Sequence, residues 1–259
     1  MSRSFSSIII STLATCLSAC GLPFVSGSGQ IVTESRQVSH FEAVNLKWTG
    51  ELYITQGDRE SLTIEADDNV LPYIKTGVFG NTLEISMDFR DHITVHPSRP
   101  VKYYLMVKDI RKIELSGSGK VFSDFLVTDN LNLDVSGSGD ILIERAEAKG
   151  LNTDVSGSGG IRFKQLKTDE LNVRLSGSGK TTLAGQAVQF IINISGSGNL
   201  DASEMEAHNA RVKISGSGKS LLNIHDQLDI EISGSGDVTY TGDPQITQHI
   251  TGSGKIHHR

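Results

Sequence analysis

Residues 131–144, LNLDVSGSGDILIE, join two alternating segments through a turn made only of serine and glycine. Leu131, Leu133 and Val135 share one side of an extended chain, because side chains alternate between the two faces of a β-strand. The polar residues between them share the other side. The same alternation resumes after the turn, so this stretch predicts two β-strands joined at a corner.

The turn recurs along the second half of the chain. From residue 116 onward SGSG begins at positions 116, 136, 156, 176, 195, 215 and 233, and TGSG begins at 251. Successive copies therefore start 18 to 20 residues apart. A period of this length indicates that each copy is one structural unit that stacks on its neighbours.

Aligning the copies on the turn places apolar residues at the same positions in nearly every copy. The residue before each turn is Leu115, Val135, Val155, Leu175, Ile194, Ile214, Ile232 or Ile250. Parallel stacking buries such positions in one continuous core. The pattern predicts an all-β fold, a single-stranded parallel β-helix (β-solenoid) with coils of about 20 residues. A β-propeller is the main alternative, but its blades need roughly 40 residues and four antiparallel strands each.

The glycines of the turns are interpreted as structural. We expect each turn to form a corner of its coil with at least one glycine at positive φ, a conformation that glycine adopts without a side-chain clash. They account for sixteen of the 27 glycines in the chain. These residues are Gly117, Gly119, Gly137, Gly139, Gly157, Gly159, Gly177, Gly179, Gly196, Gly198, Gly216, Gly218, Gly234, Gly236, Gly252 and Gly254.

One copy, LSGSGKTTL at residues 175–183, looks like a phosphate-binding loop. That motif needs a glycine five positions before the Gly-Lys pair, and the residue there is Arg174. The residues equivalent to Lys180 in the neighbouring copies are Gly160 and Asn199, a variation that a catalytic lysine would not tolerate. The repeat therefore predicts a protein that binds no nucleotide and uses no cofactor.

The N-terminus predicts export and a lipid anchor. Residues 1–19 combine one early positive charge, a short apolar stretch and small residues, as in a secretion signal. The four residues Leu17-Ser18-Ala19-Cys20 resemble the lipobox of bacterial lipoproteins, which implies cleavage before Cys20 and lipidation of its thiol. Gly21 in second place implies the outer membrane of a Gram-negative cell, on its periplasmic side or at the cell surface. An ordinary signal peptide that is cut elsewhere is the alternative.

The composition of the exported part excludes other classes of partner. The chain has two cysteines, Cys16 in the signal and Cys20 at the lipidation site, so we expect no disulfide. Its formal net charge is −6, which gives no general attraction to nucleic acid. Residues 20–36 are small and polar, and we expect them to form a flexible tether. Residues 37–259 would then form a single β-helix domain, with irregular first coils and a cap in 37–115 and the SGSG repeats in 116–259.

The outward positions contain the weak candidates for a site. Asp134 and Asp154 would lie one coil apart, where two carboxylates repel each other unless a cation or water separates them. We interpret them as a solvated ladder, with a weak calcium site as the alternative. Asn132, Asn152 and Asn172 would stack beside them and exchange amide hydrogen bonds. We interpret His92 and His96 as surface residues, and His257 and His258 as surface residues at a frayed C-terminus. No set of catalytic residues is distinguishable.

The segment FEAVNLKWTGELYITQG, residues 41–57, and the strands that follow it lead into the repeats, and Trp48 within it is interpreted as a core residue of the cap. From about Val38 to about Thr241 the chain resembles the family of putative auto-transporter adhesins with a head GIN domain, which are exported β-helical proteins of bacteria. The resemblance implies no catalytic residues. We therefore predict a non-enzymatic, lipid-anchored envelope protein whose β-helix acts as an adhesin-like binding or structural surface for carbohydrate or another envelope protein. A polysaccharide-active β-helix enzyme is the alternative function.

Overall fold

The SGSG segments stack on one another and connect long strands that pair in parallel along the whole repeat. The computed structural model describes residues 24–88 and 93–259. The strands of the repeat are β10 (Lys112–Leu115), β11 (Lys120–Val135), β12 (Asp140–Val155), β13 (Gly160–Leu175), β14 (Lys180–Ile194), β15 (Asn199–Gly216), β16 (Lys219–Gly234), β17 (Asp237–Thr241), β18 (Gln245–Gly252) and β19 (Lys255–His258). The predicted parallel β-solenoid is confirmed.

The register of the coils is the one that the turn alignment predicts. Leu133 pairs with Thr153, and Thr153 pairs with Val173, so equivalent positions lie directly above one another. The apolar positions on both sides of each turn except the last are buried and form one continuous core. Polar side chains of the repeat strands are also buried among these positions, namely Ser123, Thr153, Thr168, Thr181 and Ser220.

Thr181 allows a test of this register. Its side chain is fully buried, and within the described part of the chain its Oγ1 has no hydrogen-bond partner. Burying an unpaired hydroxyl is unfavourable, so we expect Thr181→Val to raise the free energy of unfolding by about 1 kcal/mol in urea titrations. The matched control is Thr182→Val on the outward side, which we expect to change it by no more than about 0.5 kcal/mol. Marked destabilisation by Thr181→Val would mean that the inward register is wrong.

The N-terminal part contains shorter strands and a 3-10 turn. These elements are β1 (Phe24–Ser26), β2 (Ile31–Arg36), β3 (Ala43–Leu46), β4 (Glu51–Gln56), β5 (Ser61–Asp67), the 3-10 turn Leu71–Tyr73, β6 (Ile74–Phe79), β7 (Thr82–Met87), β8 (Thr94–His96) and β9 (Lys102–Val107). No helix in residues 24–88 or 93–259 has the length and apolarity needed to cross a membrane.

The first coils do not stack in the order of the sequence. Strands β3 and β4 form one coil, and this coil pairs in parallel with β10 and β11 on one side. On its other side it pairs in parallel with β7 and β9, which come later in the chain than β3 and β4. The coil of β3 and β4 is therefore inserted between two coils that are formed from later segments.

Antiparallel strands cap the N-terminal end of the rod. On one face β6 pairs antiparallel with β7, and on another β5 pairs antiparallel with β9 and β2 pairs antiparallel with β5. Val70, Leu71 and Ile74 are buried beneath this cap. Trp48 is partly buried and packs against the same core, which agrees with its interpretation as a core residue. The cap removes the exposed apolar end that a bare coil would leave.

The prediction of a flexible tether over residues 20–36 is wrong for the described part of that segment. Strand β1 pairs in parallel with β8, and β2 covers the edge of β5. Val25 and Val32 pack against the core, and this packing, together with the pairing of the β5 edge, holds the segment in place. A further SGSG sequence, like that of the repeat turns, lies at residues 26–29 and is the sequence feature that could have indicated an ordered segment here.

The prediction that every repeat turn has a glycine at positive φ is also wrong. Among the sixteen turn glycines, all of which are described, only Gly216, Gly234 and Gly252 have φ between 125° and 140°. At the others except Gly198 an added Cβ atom would lie less than 3.0 Å from an atom of the neighbouring coil, so these glycines are needed because the coils approach each other closely. A Cβ atom at Gly157 would lie 2.0 Å from the carbonyl oxygen of Gly137, and at this distance no side chain fits.

Candidate functional site

The structure brings together the outward residues that the sequence predicted as a solvated ladder and as weak candidates for a calcium site. Glu114, Asp134, Asp154 and Arg174 are register partners in successive coils. Asn132, Asn152 and Asn172 form the neighbouring column. We call these two columns, with their continuation to the last coil, the polar ladder. The continuation of the first column is Asn193, Lys213, Glu231 and His249, and that of the second is Ile191, Arg211, Asp229 and Thr247.

Most charges of the polar ladder pair with a charge in an adjacent coil. Lys112 Nζ lies 3.0 Å from Asp134 Oδ2, and Arg174 Nη1 lies 3.3 Å from Asp154 Oδ2. Further along the rod Lys213 Nζ lies 2.9 Å from Glu231 Oε1. Each exposed pair contributes no more than about 1 kcal/mol, but opposite charges favour the observed register over a shifted one. The ladder therefore helps to fix the stacking of the coils.

The asparagine column makes amide contacts of the predicted kind at its start. Asn152 Nδ2 donates to Asn132 Oδ1 at 3.0 Å, and Asn132 Nδ2 donates to the carbonyl oxygen of Arg111 at 3.2 Å. Asn172 continues the column in the next coil. These bonds run along the rod axis, so they add to the hydrogen bonds that hold one coil on the next.

Each of the two calcium candidates already contacts a basic side chain. Asp134 contacts Lys112, and Asp154 contacts Arg174, so a cation would have to displace a lysine or a guanidinium group. The acidic partners Glu114 and Asp134 in turn raise the pKa of Lys112 and keep it charged. Within the described residues no cluster of three or more His, Cys, Asp or Glu side chains has metal-binding geometry.

The other residues singled out by sequence lie apart from the ladder. His96 is exposed in β8, whereas Cys20 and His92 lie outside the described residues. At the C-terminus the ring of His258 stacks on Tyr240 with centroids 4.9 Å apart. The C-terminal strand β19 pairs with β17. The interpretation of this end as frayed is therefore wrong.

The loop that resembles a phosphate-binding loop uses its amide groups for stacking. The N–H of Ser178 donates to the carbonyl oxygen of Gly157, and that of Lys180 donates to Gly159, each at 3.2 Å. A phosphate loop needs such N–H groups to be free to surround its ligand. Lys180 itself is exposed, between Gly160 and Asn199 in the register.

A strip of aromatic rings lies on the outer surface near the cap, and the sequence did not predict it. Tyr53 pairs in register with Tyr104 on one side and with Phe122 on the other. Its ring centroid lies 5.4 Å from that of Tyr104 and 5.1 Å from that of Phe122, with interplanar angles of 18° and 17°. Leu142 extends the column into the next coil. We call these four residues the aromatic strip.

The aromatic strip exposes apolar surface that is not part of the core. Tyr104 is 42% exposed, and Tyr53, Phe122 and Leu142 are half-buried. The only sequence signal was the outward position of Tyr53 between the inward residues Leu52 and Ile54. The neighbours of Tyr53 in the strip could not be predicted from the sequence, because they are set by the insertion of the β3–β4 coil between later segments.

The phenol of Tyr53 is held by a neighbouring carboxylate. Its hydroxyl donates to Glu51 Oε2 at 2.7 Å, and this bond, with partial burial and the negative charge of Glu51, raises the pKa of Tyr53 to about 12. We expect Glu51→Gln to lower the pKa towards the usual value near 10, because the phenolate then loses a repulsive charge. Absorbance titration of wild type and Glu51→Gln measures this shift, with Tyr53→Phe identifying the signal. An unchanged pKa in Glu51→Gln would contradict the assignment.

Comparison with known proteins gives both a family and a fold. The family model described as "Putative auto-transporter adhesin, head GIN domain" matches residues 40–244. A solved structure from Parabacteroides distasonis, described as a putative lipid binding protein, is 25% identical with a TM-score of 0.85, covering 91% of this chain and 99% of its own. No curated protein matches the chain.

Two further solved structures support the same fold. A putative adhesin from Parabacteroides merdae is 23% identical with a TM-score of 0.84, covering 92% of this chain and 99% of its own. A putative adhesin from Parabacteroides distasonis is 20% identical with a TM-score of 0.82, covering 91% of this chain and 100% of its own. At these identities the likeness concerns the fold alone.

Proposed function

Because the chain belongs to the family of putative auto-transporter adhesins with a head GIN domain, we propose that it is a non-enzymatic, lipid-anchored protein of the cell envelope. In this proposal the rod is an adhesin-like binding surface. The similar solved proteins are described as putative adhesins or as a putative lipid binding protein, and both descriptions concern binding rather than catalysis.

The aromatic strip is the observation that carries this proposal. The charges of the polar ladder largely pair with one another, whereas Tyr104 is exposed and the rings of Tyr53 and Phe122 are half-buried on the outer surface, outside the core. Contiguous apolar groups on a rigid outer surface are typical of binding sites. The phenol groups add polar contacts beside the apolar ring surface. Carbohydrate or another envelope protein fits this combination.

The paired state of the acidic ladder also argues against the alternative of a polysaccharide-active enzyme. Acid–base cleavage of a glycan needs carboxyl groups that are placed on both sides of the scissile bond. Asp134 and Asp154 instead each contact a basic side chain of a neighbouring coil. Turnover of a glycan that disappears in Asp134→Asn or Asp154→Asn would restore the enzymatic alternative.

The anchor is proposed from the sequence Leu17-Ser18-Ala19-Cys20. Lipid chains on Cys20 would hold the rod at the membrane, since each buried methylene contributes about 0.8 kcal/mol and several chains act together. We place the protein in the outer membrane of a Gram-negative bacterium. Cys20→Ser is expected to move the protein from the membrane fraction to the soluble fraction, and retention in the membrane fraction would contradict the anchor.

The binding role is tested on the strip itself. Mature protein without the lipid would be applied to an array of bacterial and host glycans and to immobilised envelope proteins. The double variant Tyr104→Ser/Phe122→Ser is expected to lose at least about tenfold in affinity, equivalent to about 1.4 kcal/mol. Leu221→Ser is the matched control, because Leu221 occupies the same outward column further along the rod. Equal binding by all three proteins would exclude the strip as the contact surface.

A further inference from the structure

The chain enters the rod at its capped end. Strand β1 pairs with β8, and after a short turn the chain forms β2. Within the described residues β2 pairs only with β5, and β6 pairs only with β7, so these two strands are the outermost ones on their faces. The last coil of the repeat, formed by β18 and β19, lies at the opposite end of the rod.

The entry point is fixed to the body of the protein. The carboxylate of Asp67 accepts hydrogen bonds from the N–H of Gly29 at 2.8 Å and from the N–H and hydroxyl of Ser98 at 2.9 and 2.6 Å. The N–H of Gly27 donates to the carbonyl oxygen of His96 at 2.8 Å. Residues from Phe24 onward are thus part of the cap and cannot act as a long linker.

The distance from the lipidation site to the cap is therefore short. Only Gly21, Leu22 and Pro23 separate Cys20 from β1. Four residue steps span at most about 14 Å even when fully extended, whereas a tether that reached residue 36 would have spanned roughly 55 Å. If Cys20 carries lipid, the capped end must lie close to the lipid headgroups.

The cap also presents apolar side chains that suit this position. Phe24 in β1 is 67% exposed and Phe79 in β6 is 66% exposed, and they are the most exposed large hydrophobic residues of the described chain. Aromatic side chains at a protein surface are favoured at the boundary between headgroups and acyl chains. In water about two-thirds of the surface of each of these residues would remain hydrated.

We propose that the capped end of the rod rests on the membrane, with Phe24 and Phe79 at the lipid–water interface. The capped end of the rod is then nearest the membrane. Its last coil lies about 50 Å from the cap, because some ten strand spacings separate the two along one face. This orientation rests on the proposed function, because it requires the lipid on Cys20. It leaves the sides of the rod, including the aromatic strip, accessible to a partner.

The orientation is measured with two single-cysteine labels. If Cys16 leaves with the signal and Cys20 carries the lipid, a new cysteine gives a unique thiol. Asn81→Cys places it at the turn between β6 and β7 on the cap, and Ser253→Cys places it at the exposed turn of the last coil. Each lipidated protein carries a donor fluorophore on this thiol and is inserted into phosphatidylcholine vesicles that contain acceptor-labelled headgroups. We expect efficient energy transfer from position 81 and several-fold lower transfer from position 253.

The controls separate the anchor from the orientation. If the wild-type protein floats with the vesicles and Cys20→Ser does not, the anchor is supported. If the lipid-modified protein fails to float, the anchor and the orientation are both overturned. Flotation with equal energy transfer from both positions leaves the anchor intact and overturns the orientation. A variant with about twelve Gly and Ser residues inserted before Phe24 and with Phe24→Ser/Phe79→Ser should still float. Its transfer from position 81 is expected to fall at least twofold, and unchanged transfer would overturn the roles of the short connection and the two rings.

Discussion

A valine at position 157 is expected to lower the free energy of unfolding by at least about 3 kcal/mol or to prevent folding altogether. The added Cβ would lie 2.0 Å from the carbonyl oxygen of Gly137 and 2.8 Å from that of Ser136. These oxygens are backbone atoms of the neighbouring coil, so they cannot move aside without breaking the hydrogen bonds between coils. Gly177 faces Gly157 in the same way at 2.2 Å, so Gly177→Val should have a similar effect. Urea unfolding followed by circular dichroism measures both.

Two controls isolate crowding as the cause. Lys180→Ala, at an exposed position near this turn, should change the free energy of unfolding by no more than about 0.5 kcal/mol. Gly80 has φ of +64° with no atom within 4 Å of an added Cβ, so Gly80→Ala introduces backbone strain of about 1 kcal/mol without crowding. If Gly157→Val proved as mild as either control, close approach of the coils could not be the reason for the glycine.

Removal of the Asp67 carboxylate is expected to cost about 2 to 4 kcal/mol. Asp67 is fully buried and accepts three hydrogen bonds, one from Gly29 in the N-terminal segment and two from Ser98, which follows β8. Asp67→Ala leaves those donors without an acceptor. An asparagine at this position has nearly the same volume but only one acceptor oxygen. The free energy of unfolding of Asp67→Asn should therefore lie between those of Asp67→Ala and wild type. If urea titrations showed both variants to be as stable as wild type, a structural role for these bonds would be contradicted.

The contribution of Asp67 should also depend on pH. Burial disfavours its charged form, but the hydrogen bonds from Ser98 and Gly29 outweigh burial and hold the pKa of Asp67 below its usual value. Since the pKa is lower in the folded than in the unfolded protein, the stabilisation is complete above the unfolded value of about 4 and is lost as the pH falls through the folded value. The difference in stability between wild type and Asp67→Asn should therefore be constant from pH 7 to 5 and smaller at pH 3. A difference that grows on acidification would contradict this.

The repeat half of the molecule could be predicted from sequence because two independent signals agreed. Period-two alternation identified the strands, and the recurring turn fixed which residues lie above one another. Asp134 and Asp154, predicted to lie one coil apart, are therefore found in the structure with that register. The role of the turn glycines was misjudged, because the contacts that one coil makes with the next are not visible in the local conformation of a single turn.

The N-terminal half could not be predicted in the same way because its pairing partners have no fixed spacing. Tyr53 and Phe122 are register partners although they are remote in the chain, and nothing in either segment links them. The contact surface that carries the proposed function therefore emerged only from the arrangement of the coils. The ordered segment at residues 24–36 was missed for a related reason, since Asp67 and His96, which accept hydrogen bonds from it, are remote in sequence.

The insertion of the β3–β4 coil sets the order in which the molecule can fold. Pairing β3 with β10 brings Ala43 beside Lys112 and closes a long loop, whereas the repeat strands β11 and β12 pair residues as close in the chain as Lys120 and Asp140. Shorter loops close at lower entropic cost, so we expect the SGSG coils to assemble first and to provide the surface on which β3, β4 and the cap dock last. Pulse-labelled hydrogen exchange should show protection in β12 before β3, and the reverse order would contradict this expectation. We therefore expect the chain to fold from the C-terminal repeat towards its N-terminus, so that the segment by which it would be attached becomes ordered last.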